Sequence, residues 1–492
     1  MHPTTVLTII IGYFALLLVI SYITSKNATN LTFFLGNRQS PWYIVAFGMI
    51  SATLSGVTFI SVPGYVMESS FSYMQIVLGY LLGYFTIANV LMPLYYRLNL
   101  TSIYTYLETR FGKSSYKAGA SFFMLSRTIG AAFRLFIIAN VLQITLFNQW
   151  NIPFEATVVI TILLIWLYTF KGGIRTIIWT DSLQTLFMLT AVGITVYMIT
   201  QELNMNFSDM VHTISDSTYS RIFFIENWNN EYHFIKQFLS GAFIAITMTG
   251  LDQDMMQKNL SCRNIKEAKK NMYWFSIALI PVNLMFMSLG ALLIIYAKRE
   301  GIPLPDQSDD LFPIIATQGY LTPAVGIFFL IGIVAAAYSS ADSALTALTT
   351  SFTVDILNTK GMKEKPLKRL RKKVHVGMSI ALVIIILIFN AINDRAVISA
   401  LFTVAGYTYG PLLGLYTFGL FTKYKVRDKW VPVVAVLSPI ICGILSYNSE
   451  TLFNGYQFGF EILIVNGFFT LLGLFLLRKK GDSDKKQDEK SD

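Results

Sequence analysis

Apolar stretches of roughly 20 residues, the length that crosses the hydrocarbon core of a bilayer, recur from one end of this chain to the other. Their spacing predicts thirteen helical spans, at 5–25, 42–66, 74–96, 119–147, 155–170, 177–200, 236–257, 272–297, 321–351, 374–393, 396–420, 430–447 and 458–477. The fold class expected is therefore an all-α membrane protein.

Polar positions interrupt this pattern where a lipid-facing helix has no use for them. The second span reads WYIVAFGMISATLSGVTFISVPGYV, with Ser51, Thr53, Ser55, Gly56 and Thr58 at its centre and Pro63-Gly64 after them. The seventh reads QFLSGAFIAITMTGLDQDMMQ, with Gly241, Thr247, Thr249 and Gly250. Small residues in either span alone are accounted for by close helix packing. Together they hold matching places, each opening a set of five spans. Five is odd, so the second set enters from the opposite face of the membrane. That is the arithmetic of an inverted repeat whose first helices break at the midplane and free backbone groups for ligands. The expected organisation is a leading helix (1–30), two five-helix repeats (42–200 and 236–420), two trailing helices (430–478) and a charged, disordered tail (479–492).

The densest polar cluster lies in the ninth span, GIFFLIGIVAAAYSSADSALTALTTSFTVD (326–355), where Ser339, Ser340, Asp342 and Ser343 crowd the middle of an apolar helix. Hydrocarbon offers no water to satisfy such groups, so they face something polar inside the protein. Oxygen donors at this density suit a small hard cation. Arg127 and Arg134 stand seven residues apart in the fourth span, on one helical face. A buried arginine needs an acid, a carbonyl or an anionic ligand. Asp252, Gln253 and Asp254 are read as fixing the end of the seventh span.

Composition agrees with a membrane protein. Hydrophobic residues make up 54% of the 492 and charged ones 13%, about half the charged share of a soluble domain. The net charge of +10 does not call for nucleic acid, because its placement follows topology. Alternate loops are rich in Lys and Arg, among them Lys26, Arg97, Lys171, Lys258 to Lys270, Lys360 to Lys373 and Lys423 to Lys429. The intervening loops carry Asp209, Glu226, Asp306, Asp309 and Asp310. The positive-inside rule then puts the C-terminus in the cytoplasm and the N-terminus outside the cell membrane. The first span has no basic stretch before it and is expected to be retained. Cys262 and Cys442 form no motif, and the four His form no ligand cluster. With no phosphate loop, Ser/His set or metal box, an enzyme is not expected. The charged tail leaves no room for a signalling domain after the last span, which argues against a sensor.

The stretches LSGVTFISVPG (54–64), GGIRTIIWTDSLQ (172–184), GLDQDMMQKNLSCRN (250–264), AAAYSSADSALTALTTSFTVDI (335–356) and GYTYGPLLGLYTFGLF (406–421) together resemble the sodium/solute symporter family. The resemblance implies a leucine-transporter-like five-plus-five inverted repeat. It also implies sodium-coupled import of a small organic solute (a sugar, sialic acid or another carboxylate) across a lipid bilayer. A proton-coupled carrier or a transporter-like sensor is the alternative. It implies a sodium site made by the carbonyls of Ser51, Leu54 and Ala336 and the hydroxyls of Ser339 and Ser340. A second cation site would use Asp181, Asp342 and Ser343, although a hydroxyl residue is usual where Asp342 stands. Arg127 would hold a solute carboxylate, with Ser55, Thr58, Gln75 and Thr403 as further contacts and Phe243 at an apolar gate beside Phe59.

Overall fold

The structure is a computed structural model that describes residues 3–25, 38–98, 100, 102–169, 174–357, 359, 362–392 and 397–479. The loops holding Lys26, Lys171, Lys360 and Arg395, the side chain of Asp342 and the tail 480–492 lie outside the described residues. Among the described residues every regular element is helical, and helices occupy all thirteen expected positions. Among the described residues, nine continuous helical stretches, or ten with one bent pair, are long and apolar enough to cross a membrane. Shorter apolar helices at Trp42–Thr53, Phe154–Trp166 and Ile462–Leu476 complete the set.

The leading helix is α1 (Pro3–Ser25). The first repeat opens with α2 (Trp42–Thr53) and α3 (Gly56–Ser69), two halves of the second expected span. The chain then turns at Ser70, whose φ is 53°, into α4 (Tyr73–Thr86). The repeat continues with α5 (Lys113–Thr145), α6 (Phe154–Thr169) and α7 (Ile174–Glu202). The second repeat opens with α8 (Phe234–Ala245) and α9 (Gln253–Leu260), again two halves, bent by 68°. It continues through α10 (Ile265–Arg299), α11 (Pro323–Ser351), α12 (Glu364–Ile392) and α13 (Val397–Phe421). The trailing helices are α14 (Val431–Tyr447) and α15 (Ile462–Leu476).

Both breaks have local causes. Leu54 (φ −86°, ψ 65°) and Ser55 (φ −64°, ψ −176°) leave helical space between α2 and α3. Such a break strips the last carbonyls of α2 and the first N–H groups of α3 of their intrahelical partners. At the second break, a π-helical turn at Ile246–Gly250 leads into extended backbone at Asp252. There the Asp252 carboxylate accepts the N–H of Asp254 (2.9 Å) and of Met255 (3.3 Å) and starts α9. By contrast α11, which carries the serine cluster, is continuous from Pro323 to Ser351.

Packing fixes the broken pair against the rest. α2 lies on α7 and α10, α3 on α10 and α11, and α4 on α8. The α4–α8 contact is the tightest: a Cβ on Gly79 would stand 2.0 Å from the Phe238 carbonyl oxygen, and one on Gly241 2.1 Å from that of Ile76. Small residues at a helix seam allow this approach. Two expected ends differ. α5 begins at Lys113 rather than near 119, and α12 at Glu364 rather than near 374, because a helix can run past its apolar part with solvated charges. Short helices at Thr105–Arg110, Phe207–Ser215 and Leu311–Thr317 lie outside the expected spans.

Candidate functional site

Two contacts bracket the first break against α11. Before it, Ser51 Oγ lies 3.2 Å from Ser339 Oγ. After it, the Phe59 ring packs on Gly332, 2.6 Å from where a Cβ would be. The two segments run antiparallel, which lays the break at Leu54 along the Gly332–Ser339 stretch that contains Ala336. Ser51, Leu54, Ala336, Ser339 and Ser340 are all buried. Ser340 Oγ reaches the Ala336 carbonyl at 3.4 Å, too long to hold it firmly. Neutral oxygens converging from a broken helix and a serine pair can replace the hydration shell of one monovalent cation.

Asp181 on α7 joins this cluster. Its Oδ1 accepts the Ser339 hydroxyl at 2.6 Å and its backbone carbonyl accepts that of Ser51 at 2.9 Å. Thr185, one turn on, accepts the Ser51 N–H at 3.1 Å. The remaining carboxylate oxygen, Oδ2, is taken by Lys258 Nζ from α9 at 2.8 Å. Both partners of this ion pair are buried. Lys258, read from sequence as part of a basic loop, is in fact turned inward at the bend. Ser343 is buried and its hydroxyl has no hydrogen-bond partner among the described residues.

A cavity of about 60 Å³ opens at the same break, lined by Thr53, Leu54, Ser55 and Thr58 on one side and by Arg127, Arg134, Tyr73, Tyr80, Tyr84 and Phe402 on the others. That is space for a few waters. The two arginines differ. Arg127 Nη2 is 2.5 Å from Asp254 Oδ2 and Nη1 is 3.6 Å from Asp252 Oδ2, and Tyr409 donates to Asp252 at 2.9 Å. Arg134 is 8% exposed, has no acid partner among the described residues, and its Nε is buried without a hydrogen bond.

Several expected contacts stand otherwise in this structure. Arg127, the expected carboxylate receptor, lines the cavity and is paired with the acids that start α9. Gln75 does not line the cavity: its amide donates to the Tyr232 carbonyl (2.9 Å) and accepts the Phe224 N–H (3.1 Å), pinning a loop. Phe243 is half-buried on α8 away from the cavity, and Phe59 sits in an aromatic cluster with Phe312 and Phe329. Thr403 is exposed and donates to the Ser399 carbonyl of its own helix, while its neighbour Phe402 faces the cavity. Ser55 and Thr58 line the cavity. Arg134 carries a sequence signal, its seven-residue spacing from Arg127. Which of the two is free depends on acids from a distant helix.

Broken helices paired in two repeats, with a hydroxyl-lined cage beside a charged cavity, define a membrane carrier of the leucine-transporter-like fold. The sequence pattern of the Sodium:solute symporter family matches residues 33–427, and the chain belongs to that family. It is 27% identical over 466 residues to the sodium/sialic acid symporter SiaT of Proteus mirabilis, covering 91% of this chain and 90% of that one. It is 24% identical over 486 residues to the sodium/sialic acid symporter NanT of Aliivibrio fischeri, covering 93% and 90%. Among solved structures it superposes on a substrate-bound, outward-open Na+-coupled sialic acid symporter with a TM-score of 0.80 at 20% identity, over 97% of this chain and 99% of that one. The protein is thus a multi-pass, sodium-coupled symporter of an organic solute.

Proposed function

We propose that this protein imports a small organic anion, with a sialic acid or similar sugar acid as the leading solute class, together with sodium. The observation that carries this reading is Arg134, a buried guanidinium without an acid partner among the described residues, at the wall of a cavity that begins at the broken helix. An uncompensated buried charge is costly, and a planar fork is suited to a carboxylate. The relatives named for sialic acid transport support the same class. The sodium ion would be held by the carbonyls of Ser51, Leu54 and Ala336 and the hydroxyls of Ser339 and Ser340. Because Ser51 belongs to the broken helix α2 and Ser339 to α11, an ion between them favours the arrangement in which those helices are together. A solute that prefers that arrangement is then bound more tightly.

At about 60 Å³ the cavity does not hold a sugar, so one group of helices, drawn from both repeats, must rock against the rest to open the site on one side and then the other, which is alternating access. The distribution of Lys and Arg supports an N-terminus outside and a C-terminus in the cytoplasm; cysteine labelling at each end of the intact chain tests that orientation. The function is tested by uptake of radiolabelled N-acetylneuraminic acid into proteoliposomes under an inward sodium gradient. Uptake with sodium and none with choline is expected. Uptake driven equally well by a proton gradient without sodium would overturn the sodium reading. Sodium-driven uptake of neutral sugars alone would overturn the anion reading.

A further inference from the structure

The Asp181–Lys258 pair is unusual in where it stands. Among the described residues, Asp181 brings a carboxylate to the cation cage, through Ser339 Oγ at 2.6 Å. Its other oxygen is held at 2.8 Å by an ammonium whose side chain is 1% exposed, against 0% for Asp181. The four-carbon stem of Lys258 comes from α9, directly after the second break, and is enclosed along its length. The ammonium therefore cannot swing into water unless α9 itself moves.

We propose that Lys258 is a built-in monovalent cation that occupies the place of a second sodium ion at Asp181, so that each chain binds one sodium ion. This rests on the sodium-symport reading and sets the number of ions that reading requires. An ammonium and a sodium ion carry the same charge and both seek carboxylate oxygen. A sodium ion on Asp181 would share one carboxylate with the Lys258 nitrogen, which is already 2.8 Å from Oδ2, and two like charges on one carboxylate in a poorly solvated interior repel. The pair also orients the cage. With Oδ2 held by Lys258, Oδ1 faces Ser339 and accepts a hydrogen bond from its hydroxyl, which leaves the Ser339 lone pairs free to point at the single sodium ion. Since Lys258 arrives from the broken helix of the second repeat, the ion pair closes only when α9 is against α7. Lys258 is thus a positioning residue whose charge is present in one arrangement of the repeats.

Equilibrium binding of ²²Na⁺ to the purified full chain tests this by counting ions. The expected count is one per chain, lost in Ser340→Ala. Lys258→Gln, which keeps bulk but removes the charge, is expected to raise the count to two in protein that remains monodisperse. Two ions per wild-type chain, or an ion retained by Ser340→Ala, would overturn the proposal while leaving symport intact. A monodisperse Lys258→Gln that still binds one would also overturn it. No ion bound by the wild type would overturn the symport reading itself. Where Lys258→Gln fails to fold, the wild-type and Ser340→Ala counts decide.

Discussion

Arg127 and Arg134 stand two helical turns apart on α5 and line one cavity, yet only Arg127 is neutralised. It meets Asp254 at 2.5 Å, while Arg134 has no acid partner among the described residues. This contrast separates two roles that the sequence leaves equivalent. Arg134→Ala should lower anionic solute uptake at least tenfold while the purified protein keeps its thermal stability. Arg127→Ala should instead destabilise the fold by about 3–5 kcal/mol, the cost of leaving buried charges unpaired. Uptake kinetics alongside thermal unfolding would distinguish them, and the opposite assignment would restore Arg127 as the receptor.

The serine pair is expected to divide in the same way. Ser340 makes only a 3.4 Å contact with the Ala336 carbonyl, so Ser340→Ala should remove sodium dependence with little change in stability. Ser339 also donates to the buried Asp181 carboxylate. Ser339→Ala should therefore cost about 1–3 kcal/mol in addition to sodium binding. Thermal unfolding in sodium and in choline buffers reads both effects, and equal stability of the two variants in choline would refute the distinction.

The α4–α8 seam leaves no room for a methyl group. Gly79→Ala and Gly241→Ala each place a Cβ near 2 Å from a backbone oxygen, which cannot yield as a side chain can. Each should destabilise by about 1–3 kcal/mol through overpacking. Gly443→Ala, where nothing lies within 4 Å, should be neutral or slightly stabilising, by up to about 1 kcal/mol of helix propensity. Melting curves of the three variants test this, and a neutral Gly241→Ala would show that the helices can separate freely.

Asp309 lies in the loop before the short Leu311–Thr317 helix. Burial pushes its carboxyl up to about 6, against the pull of the Val397 N–H at 2.8 Å. A raised carboxyl pKa favours the protonated group in the folded chain. Its contribution to stability is therefore complete below the unfolded value, near 3.9, and is lost as pH rises through about 6. The melting temperature should fall between about pH 4 and pH 6 more steeply in the wild type than in Asp309→Asn. Identical slopes would assign the effect elsewhere.

Much of the architecture is legible in the sequence. Bilayer thickness fixes span length, so apolar runs located the helices. Polar residues that hydrocarbon cannot satisfy marked the two breaks and the Ser339–Ser340 cluster. The family motifs pointed to the same helices. The basic loops misled at one point: Lys258 reads as an interfacial charge, and in the structure it turns inward to Asp181.

Sequence alone determined which helices exist, where two of them break and which one carries hydroxyls, because each follows from local chemistry against lipid. Only the tertiary structure decided which charges meet. Asp252 and Asp254 are more than a hundred residues from Arg127, and Lys258 is 77 from Asp181. Periodicity fixes the face of a residue's own helix, whereas an ion pair depends on where a second helix comes to rest, and that follows from packing across the whole bundle.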